Sequence, residues 1–399
     1  MGDDPHGPGP LAHLRVVDLT TARSGPTCVR QLADLGADVV AVAAPGRGGL
    51  DGSDGCNLHR NKRSVILDLR RPDGLDAFVR LVERADVLVE NMRPAVKHRL
   101  GIGPAEMLAR NPRLIYASLS GFGQSGPYAD RPGVDQIAQG MGGLMSVTGP
   151  PGSGPWRVGI AISDTAAGTF LTQGVLAALV SREHSGRGQW VHTSLLEAMV
   201  NLMDFQACRW LTDGVVPGQQ GNDHPTFFPM GTYRTLDGLI NIAGLRAIEV
   251  FTDVIGAGSL LDEERFATAG SRRANREAFN EACEACLMTE PTAHWIEALN
   301  AVGIPAGPVY AMDEVFADPQ VAHLAMAERV EGPGGSAVSV LRHPVTLSET
   351  PAAVGHGPHQ PGSDTREVLA GLGYAPEEVD ALLASGAAAT AATGEGWLR

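Results

Sequence analysis

Short apolar stretches separated by helical patterns fill the first 120 residues. Leu14–Leu19, Ala37–Val42, Ser64–Leu69, Asp86–Glu90 and Leu114–Leu119 are five or six residues long. Nearly continuous apolar runs of this length predict strands buried on both faces. Between them, apolar positions recur at helical spacing. One helix opens at Ser24-Gly25-Pro26, runs to Leu35 and stops at Gly36; others span Pro72–Arg84 and Pro104–Arg110. Proline sits in the first turn of each, where its missing N–H costs nothing. Strands alternating with helices predict a parallel sheet covered on both faces, with right-handed crossovers.

From about Val134 the pattern turns helical. Ile162–Glu183 reads as one long helix that begins at Ser163 or Asp164 and ends at Gly186-Arg187-Gly188. A strand over Gln189–Thr193 and a helix over Leu195–Leu211 follow. Gly214–Asn222, rich in Gly, Pro and Gln, reads as a linker. Beyond it, Gly231–Ala243 predicts two strands turning at Asp237-Gly238. Helices are expected over Ala247–Ile255, Arg273–Met288 and Thr292–Val302. The chain loosens near Glu331–Ser336, becomes β-like over Val338–Leu347 and forms two short helices over Thr365–Leu383. The Ala-rich stretch Gly386–Gly394 is expected to fray. The expected organisation is a tail (1–12), a large α/β domain (13–213), a linker (214–222), a smaller domain (223–330) and a return to the large domain (331–399).

Composition narrows the class. A chain of 399 residues exceeds one ordinary core, so two domains are expected. No apolar run approaches the ~20 residues of a membrane span, and the N-terminus lacks the pattern of a secretory signal. Five irregularly spaced cysteines make no disulfide framework and suit a reducing, cytoplasmic setting. The one CxxC, Cys283–Cys286, lies in a helical pattern without a second pair, so it predicts a packed helix face and no metal site. A net charge of −14 argues against nucleic acid or a membrane surface as partner.

Gly121-Phe122-Gly123-Gln124-Ser125-Gly126 fits G-x-G-x-x-G, but loop residues Pro127–Gly133 follow instead of a helix. The dinucleotide fingerprint needs that helix. The stretch reads as a glycine-rich loop over a site, suited to substrate exchange.

Five segments in order carry a resemblance: Leu14–Val40 ("LRVVDLTTARSGPTCVRQLADLGADVV"), Arg60–Leu69 ("RNKRSVILDL"), Ala85–Gly101 ("ADVLVENMRPAVKHRLG"), Asn111–Gly149 ("NPRLIYASLSGFGQSGPYADRPGVDQIAQGMGGLMSVTG") and Val158–Ala198, which contains "ISDTAAG" and "SGRGQWVHTSLLEA". Gly362–Tyr374 is a weaker echo. Together they resemble the class III CoA-transferase family, which includes formyl-CoA transferase, crotonobetainyl-CoA:carnitine CoA-transferase and 2-methylacyl-CoA racemase. The resemblance implies a Rossmann-like large domain built from both chain ends with a smaller inserted α+β domain. It also implies an interlocked homodimer, with acyl-CoA and a small carboxylic acid as substrates.

It further implies that Asp164, in Ile162-Ser163-Asp164-Thr165, attacks the thioester. A carboxylate is ionised near neutral pH, and a helix start favours the anion. Attack yields a mixed anhydride and a thiolate, which divides one hard exchange into easier steps. An aspartate at a helix start is also an ordinary N-cap; the family match favours the nucleophile. Oxyanion donors are sought among backbone N–H groups of Gly121 and Gly123 or of Gly142 and Gly143; Val134 and Asp135 lie in the same segment. Arg23 stands where formyl-CoA transferase has a glutamine, and a fixed cation there would suit a dicarboxylic acid.

Coenzyme A carries phosphates, which call for Arg or Lys. Two clusters qualify: Arg60-Asn61-Lys62-Arg63 before a strand, and Arg93, Lys97 and Arg99 after another. The resemblance singles out Lys62 and Arg99. The Lys and Glu the family usually carries after "GADVV" are absent; Ala41-Val42-Ala43-Ala44 stands there. The racemase branch needs a histidine where this chain has Val134, and valine moves no proton. Transfer is therefore preferred over racemisation, and over CoA-ester binding without turnover. His192 is expected as a packed strand residue and His224 in a loop. Phe227 and Phe228 are expected either to wall an apolar pocket or to lie in a core.

Overall fold

The computed structural model of the chain describes residues 9–46, 52–244, 248–332 and 335–391. In chain order the first elements are β1 (Arg15–Leu19), α1 (Ser24–Asp34), β2 (Asp38–Ala43), α2 (Gly52–His59), β3 (Lys62–Leu67), α3 (Pro72–Glu83), β4 (Val87–Glu90), α4 (Pro94–Arg99), α5 (Pro104–Arg110) and β5 (Ile115–Ser120). Then come α6 (Asp135–Met141), α7 (Leu144–Val147), α8 (Ile162–Ser185), β6 (Gln189–Ser194), α9 (Leu195–Leu202), α10 (Asp204–Asp213), β7 (Met230–Arg234) and β8 (Leu239–Ala243). The chain closes with α11 (Ile248–Val254), α12 (Ala269–Ala274), α13 (Arg276–Leu287), α14 (Thr292–Ala301), β9 (Ala306–Pro308), α15 (Met312–Ala317), α16 (Pro319–His323), β10 (Ala327–Glu331), β11 (Ala337–Leu341), α17 (Thr365–Gly371), α18 (Pro376–Ser385) and β12 (Ala388–Ala389).

The chain forms two compact units. The larger comprises the chain up to Leu144, Arg157–Val215 and everything from Ala325; the smaller comprises Met145–Trp156 and Val216–Leu324. In the larger unit one sheet has the order β12-β3-β2-β1-β4-β5-β6. Strands β1 to β6 are parallel and β12 is antiparallel to β3. The parallel order 3-2-1-4-5-6 is that of a doubly wound sheet, which reverses direction between β1 and β4. One face packs Val16, Val39, Val87 and Ile115 against α1 and α8. The other packs Val17, Val40, Val65 and Leu88 against α3, α17 and α18. Successive strand residues therefore both find apolar partners, which explains the continuous apolar runs.

Several boundaries differ from expectation. Strand β3 begins two residues early, because Asn61 adopts a left-handed φ of 59° and Lys62 already pairs with Val39. Asp204, with φ 40°, breaks the helix expected over 195–211 into α9 and α10. Helices α2 and α4 were not anticipated. The Ala-rich end does not fray as far as it is described: Ala388 pairs with Leu67 and is buried, because a small side chain fits beneath the adjoining helices. Residues 392–394 of that stretch lie outside the described residues, as do Ala247 and the first eight residues of the expected tail. Leu11, within that tail, is anchored by its N–H to Leu35 O at 3.0 Å.

The smaller unit holds the antiparallel sheet β7-β8-β9 over a core of Tyr233, Ile240, Phe251, Phe279, Leu287 and Trp295. Cys283 lies buried in that core, its thiol pushed up to about 12 by burial, and Cys286 is also a free thiol. Phe228 packs its ring 5.5 Å from Phe279, whereas Phe227 is exposed beside His224. Residues 145–156, expected in the large domain, belong here: Gly221 N–H donates to Gly149 O at 3.0 Å, and the Gln219 amide donates to Thr148 O at 2.6 Å.

Candidate active site

The β1–α1 turn lies at the carboxyl end of the sheet, beside the point where strand order reverses. Asn91, just past β4, clamps it. Its Oδ1 accepts Thr21 N–H at 2.9 Å and its amide donates to Thr21 O at 2.7 Å. Ala22 follows with φ 61°, a conformation a non-glycine residue adopts at a cost. Arg23 then caps α1, and its guanidinium pairs with Asp54 of α2. The α1 first-turn N–H groups of Ser24 and Gly25 have no intrahelical partner, and Pro26 has none to offer.

Helix α8 starts at Ile162 with Ala161 as its cap, so Asp164 is the third helical residue and not the N-cap. Gly168, one turn on, is where α8 meets α1: a Cβ there would lie 2.6 Å from Ser24 O. This close approach brings Asp164 to the start of α1, where the Ser24 side chain favours the ionised carboxylate. Burial and the charge of Asp135 push the Asp164 carboxyl up to about 6, against the pull of Arg23 and Ser24. The group is still mainly ionised at neutral pH, and more basic than an ordinary carboxylate.

Asp135 opens α6 and is buried. Its Oδ1 accepts Ser163 N–H at 2.9 Å and Ser163 Oγ at 2.8 Å, and its Oδ2 accepts the Gln139 amide at 2.7 Å and Arg157 at 3.3 Å. It thereby caps α8 from another helix and fixes where Asp164 sits. The residue before it, Val134, is exposed. Three of the glycines considered as oxyanion donors have their N–H groups engaged: Gly123 with Ser120 Oγ (3.1 Å), Gly142 with Ala138 O (2.8 Å) and Gly143 with Gly140 O (3.3 Å). Gly121 faces Gly133 so closely that a Cβ on either would lie 2.7 Å from the other's Cα, which closes the neck of the loop between them. Residues 127–134 continue as loop after Gly126 and α6 begins only at Asp135, so the glycines do not open a helix, as expected.

A cavity of about 620 Å³ opens at the carboxyl ends of β1, β2 and β3. Its walls include Thr20, Thr21 and Ala22, the residues that lead into Arg23 and α1. The end of β2 contributes only Ala41 to Pro45, while Lys62, Arg63, Arg70 and Arg99 outnumber the lining anions Asp18 and Asp68. The cavity thus suits an anionic ligand.

The predicted cations divide sharply. Lys62 is buried and gives its ammonium to Asp18 at 2.9 Å. Arg60 is buried against Asp34, and Lys97 against Glu90, Ser118 and Gln124. Removing one side of such a pair costs about 3–5 kcal/mol, so these three serve the fold. Arg63 lines the cavity but holds Asp38 at 2.6 Å. Arg99 lines it exposed and unpaired among the described residues. Arg93 stands apart, donating to Asp130 O at 3.4 Å. His192 is exposed on the edge strand β6, its ring against Trp190, and is not packed as expected. His224 lies in a loop. His359 and Pro361, which no motif or periodicity marks, also line the cavity. Among the described residues, no group of three or more His, Cys, Asp or Glu is arranged for a metal ion, and no helix is long and apolar enough to cross a membrane.

Comparison with known proteins agrees with this architecture. The family model described as CoA-transferase family III matches residues 11–365. The succinate–glutarate CoA-transferase of Agrobacterium fabrum is 33% identical over 93% of this chain and 98% of its own. The acetyl-CoA:oxalate CoA-transferase of Acetobacter aceti is 36% identical over 79% of this chain and 84% of its own. The crystal structure of a CAIB/BAIF family protein from Brucella suis superposes with a TM-score of 0.81 at 33% identity, covering 92% of this chain and all 100% of that one. The chain belongs to CoA-transferase family III, enzymes that move coenzyme A between acyl thioesters and carboxylic acids.

Proposed function

We propose that this enzyme transfers coenzyme A from an acyl-CoA to a small dicarboxylic acid through covalent intermediates on Asp164. The observation that carries the reading is the placement of Asp164: an ionised, unusually basic carboxylate held beside Arg23 and Ser24, next in sequence to Ala22 in the wall of the cationic cavity. An Asp164 oxygen attacks the thioester carbonyl carbon, the C–S bond breaks, and CoA leaves as thiolate. That thiolate attacks the aspartyl carbonyl of the mixed anhydride, releasing the donor acid and leaving an aspartyl-CoA thioester. The acceptor carboxylate then displaces the thiolate to form a second anhydride. Return of the thiolate to the acceptor's carbonyl frees the new acyl-CoA and restores Asp164. Each step exchanges one acyl bond for another, with no oxidant or metal.

The roles follow position. Arg63 and Arg99 face the phosphates of coenzyme A from the cavity wall, and Lys62 supports that wall through Asp18. The N–H groups of Ser24 and Gly25, next to Asp164, are better placed for the oxyanion than Gly123, Gly142 or Gly143, whose N–H groups are engaged. Arg23 takes the acceptor's second carboxylate, releasing Asp54. Relatives named for succinate, glutarate and oxalate support a dicarboxylate. Val134 leaves no proton carrier for racemisation beside Asp135. The reading includes a homodimer, supported by exposed Ile137, Met141, Ile160, Trp210 and Leu211 in the large unit, and a cytoplasmic setting, supported by five free cysteines.

The test is acceptor selectivity. Arg23→Gln is expected to lower kcat/KM for dicarboxylates by about tenfold or more relative to monocarboxylates, the loss of one charge-assisted contact. Unchanged selectivity would remove Arg23 from acceptor recognition. Exchange of the substrate α-hydrogen with solvent deuterium, without CoA transfer, would favour the racemase instead.

A further inference from the structure

We infer that His359, held by Asp364, is a phosphate ligand for coenzyme A that takes up a proton when it binds. The inference rests on the reading of the cavity as the CoA site and adds to it a pH-dependent contact.

Residues 353–365 cross β3 as an irregular strap anchored on both sides of His359. On one side the Asn61 side chain accepts the N–H groups of Gly355 (2.8 Å) and His356 (3.2 Å) and donates to Ala353 O (2.9 Å). On the other, Ser64 donates its N–H to Asp364 Oδ2 (2.7 Å), accepts Asp364 N–H on its carbonyl (3.1 Å) and accepts Gly362 N–H on its hydroxyl (3.2 Å). His359 is thus placed by the sheet and lines the cavity, its side chain 35% exposed.

Asp364 fixes the state of that ring. Burial raises its carboxyl, but the Ser64 N–H and His359 outweigh burial and hold it below the ordinary carboxylate value. An ionised carboxylate only accepts, so His359 Nδ1, 2.8 Å from Oδ2, carries the hydrogen. Nε2 is left for a ligand. It donates only when the ring is protonated, which an adjacent phosphate would favour.

The surrounding groups assign the proton to this ring. From β3 come Lys62, paired with Asp18 of β1, and Arg63, shared between Asp38 and Glu367. Beyond β3, Arg70 pairs with Asp68, and α4 contributes the unpaired Arg99. His59 of α2 is held down to about 4 by burial and by Lys62. The His356 ring, centred 4.5 Å from that of His359, gives its Nδ1 hydrogen to Gly357 O and is held below the ordinary histidine value by burial. Of these three histidines, only His359 has a carboxylate within hydrogen-bond distance of one nitrogen and lines the cavity as well. With β2 contributing only apolar side chains, the phosphate-facing charge of this chain rests on this wall.

Calorimetry of the full-length enzyme with CoA and with 3′-dephospho-CoA, from about pH 6.5 to about pH 8.5, tests the inference. The wild type is expected to take up a proton on binding and to lose about tenfold in affinity across the range, one charge-assisted contact. His359→Gln should bind about tenfold more weakly at the acid end, without proton uptake. His359→Lys should bind tightly with a flat profile. A loss confined to CoA identifies the 3′-phosphate as the ligand, and an equal loss with both identifies the pyrophosphate. If His359→Gln kept the wild-type affinity, slope and proton uptake, the inference would be wrong while the CoA site stood. If the wild type bound neither ligand, the reading of the cavity would fail instead.

Discussion

Asp164 is ionised at a cost to the fold. Its carboxyl is pushed up to about 6 in the native enzyme, first by burial and then by Asp135, whereas the unfolded chain has an ordinary carboxylate. Below about pH 4 both states are protonated and nothing is lost. As pH rises from about 4 to about 6 the unfolded chain loses this proton while the native group keeps it, so stability falls, levelling off above about 6. Asp164→Asn should therefore stabilise the enzyme at neutral pH by on the order of 1–2 kcal/mol, allowing for solvent screening. The gain should vanish in melts below about pH 4; a variant less stable than wild type at pH 7 would contradict this electrostatic account. Asp164 is singled out by the family resemblance, since its place at a helix start alone reads as an ordinary N-cap. The burial of Lys62, Lys97 and Arg60 was not legible. Their partners lie 44, 7 and 26 residues away, and a lysine in a sequence looks the same whether it faces a phosphate or a buried aspartate. His359 was invisible for a related reason: the strap that carries it has no periodicity.

At the scale of elements, the site is the meeting of two helix starts, and Gly168 sets how closely they meet. The Cβ of Gly168→Ala would press on Ser24 O and Thr27, so α8 must shift at a cost of about 1–3 kcal/mol. Steady-state kinetics should show kcat reduced about tenfold or more, since a displacement of 1 Å at a reacting group has effects of that size. KM for acyl-CoA should change little, because the cavity walls belong largely to the strands and α4. Equal losses in both constants would show that the crossing positions the cavity as well. Strands β1 to β5 and the longer helices were legible from period and proline placement. The early start of β3 and the break before α10 were not, since each depends on one non-glycine residue with positive φ, Asn61 or Asp204.

At the scale of the molecule, both chain ends build one sheet. Val368, Leu369, Val379 and Leu382 complete the core begun by β1 to β4, so the large unit forms only after the smaller one has been synthesised. The two-ended plan was legible through the family resemblance; the membership of residues 145–156 was not, because only long-range backbone contacts reveal it. The exposed Trp210 and Leu211 of α10 are expected to be covered by a second copy. Sedimentation should give the mass of two chains, and Leu211→Glu should shift the equilibrium toward one; a wild-type monomer would refute the dimer.

The proposed transfer rests on a covalent bond at Asp164, which peptide mass spectrometry after mixing the enzyme with acyl-CoA and hydroxylamine would detect. A hydroxamate on Asp164 is expected, absent without acyl-CoA and absent in Asp164→Asn. An unmodified Asp164 during active transfer, or full activity in Asp164→Asn, would contradict it.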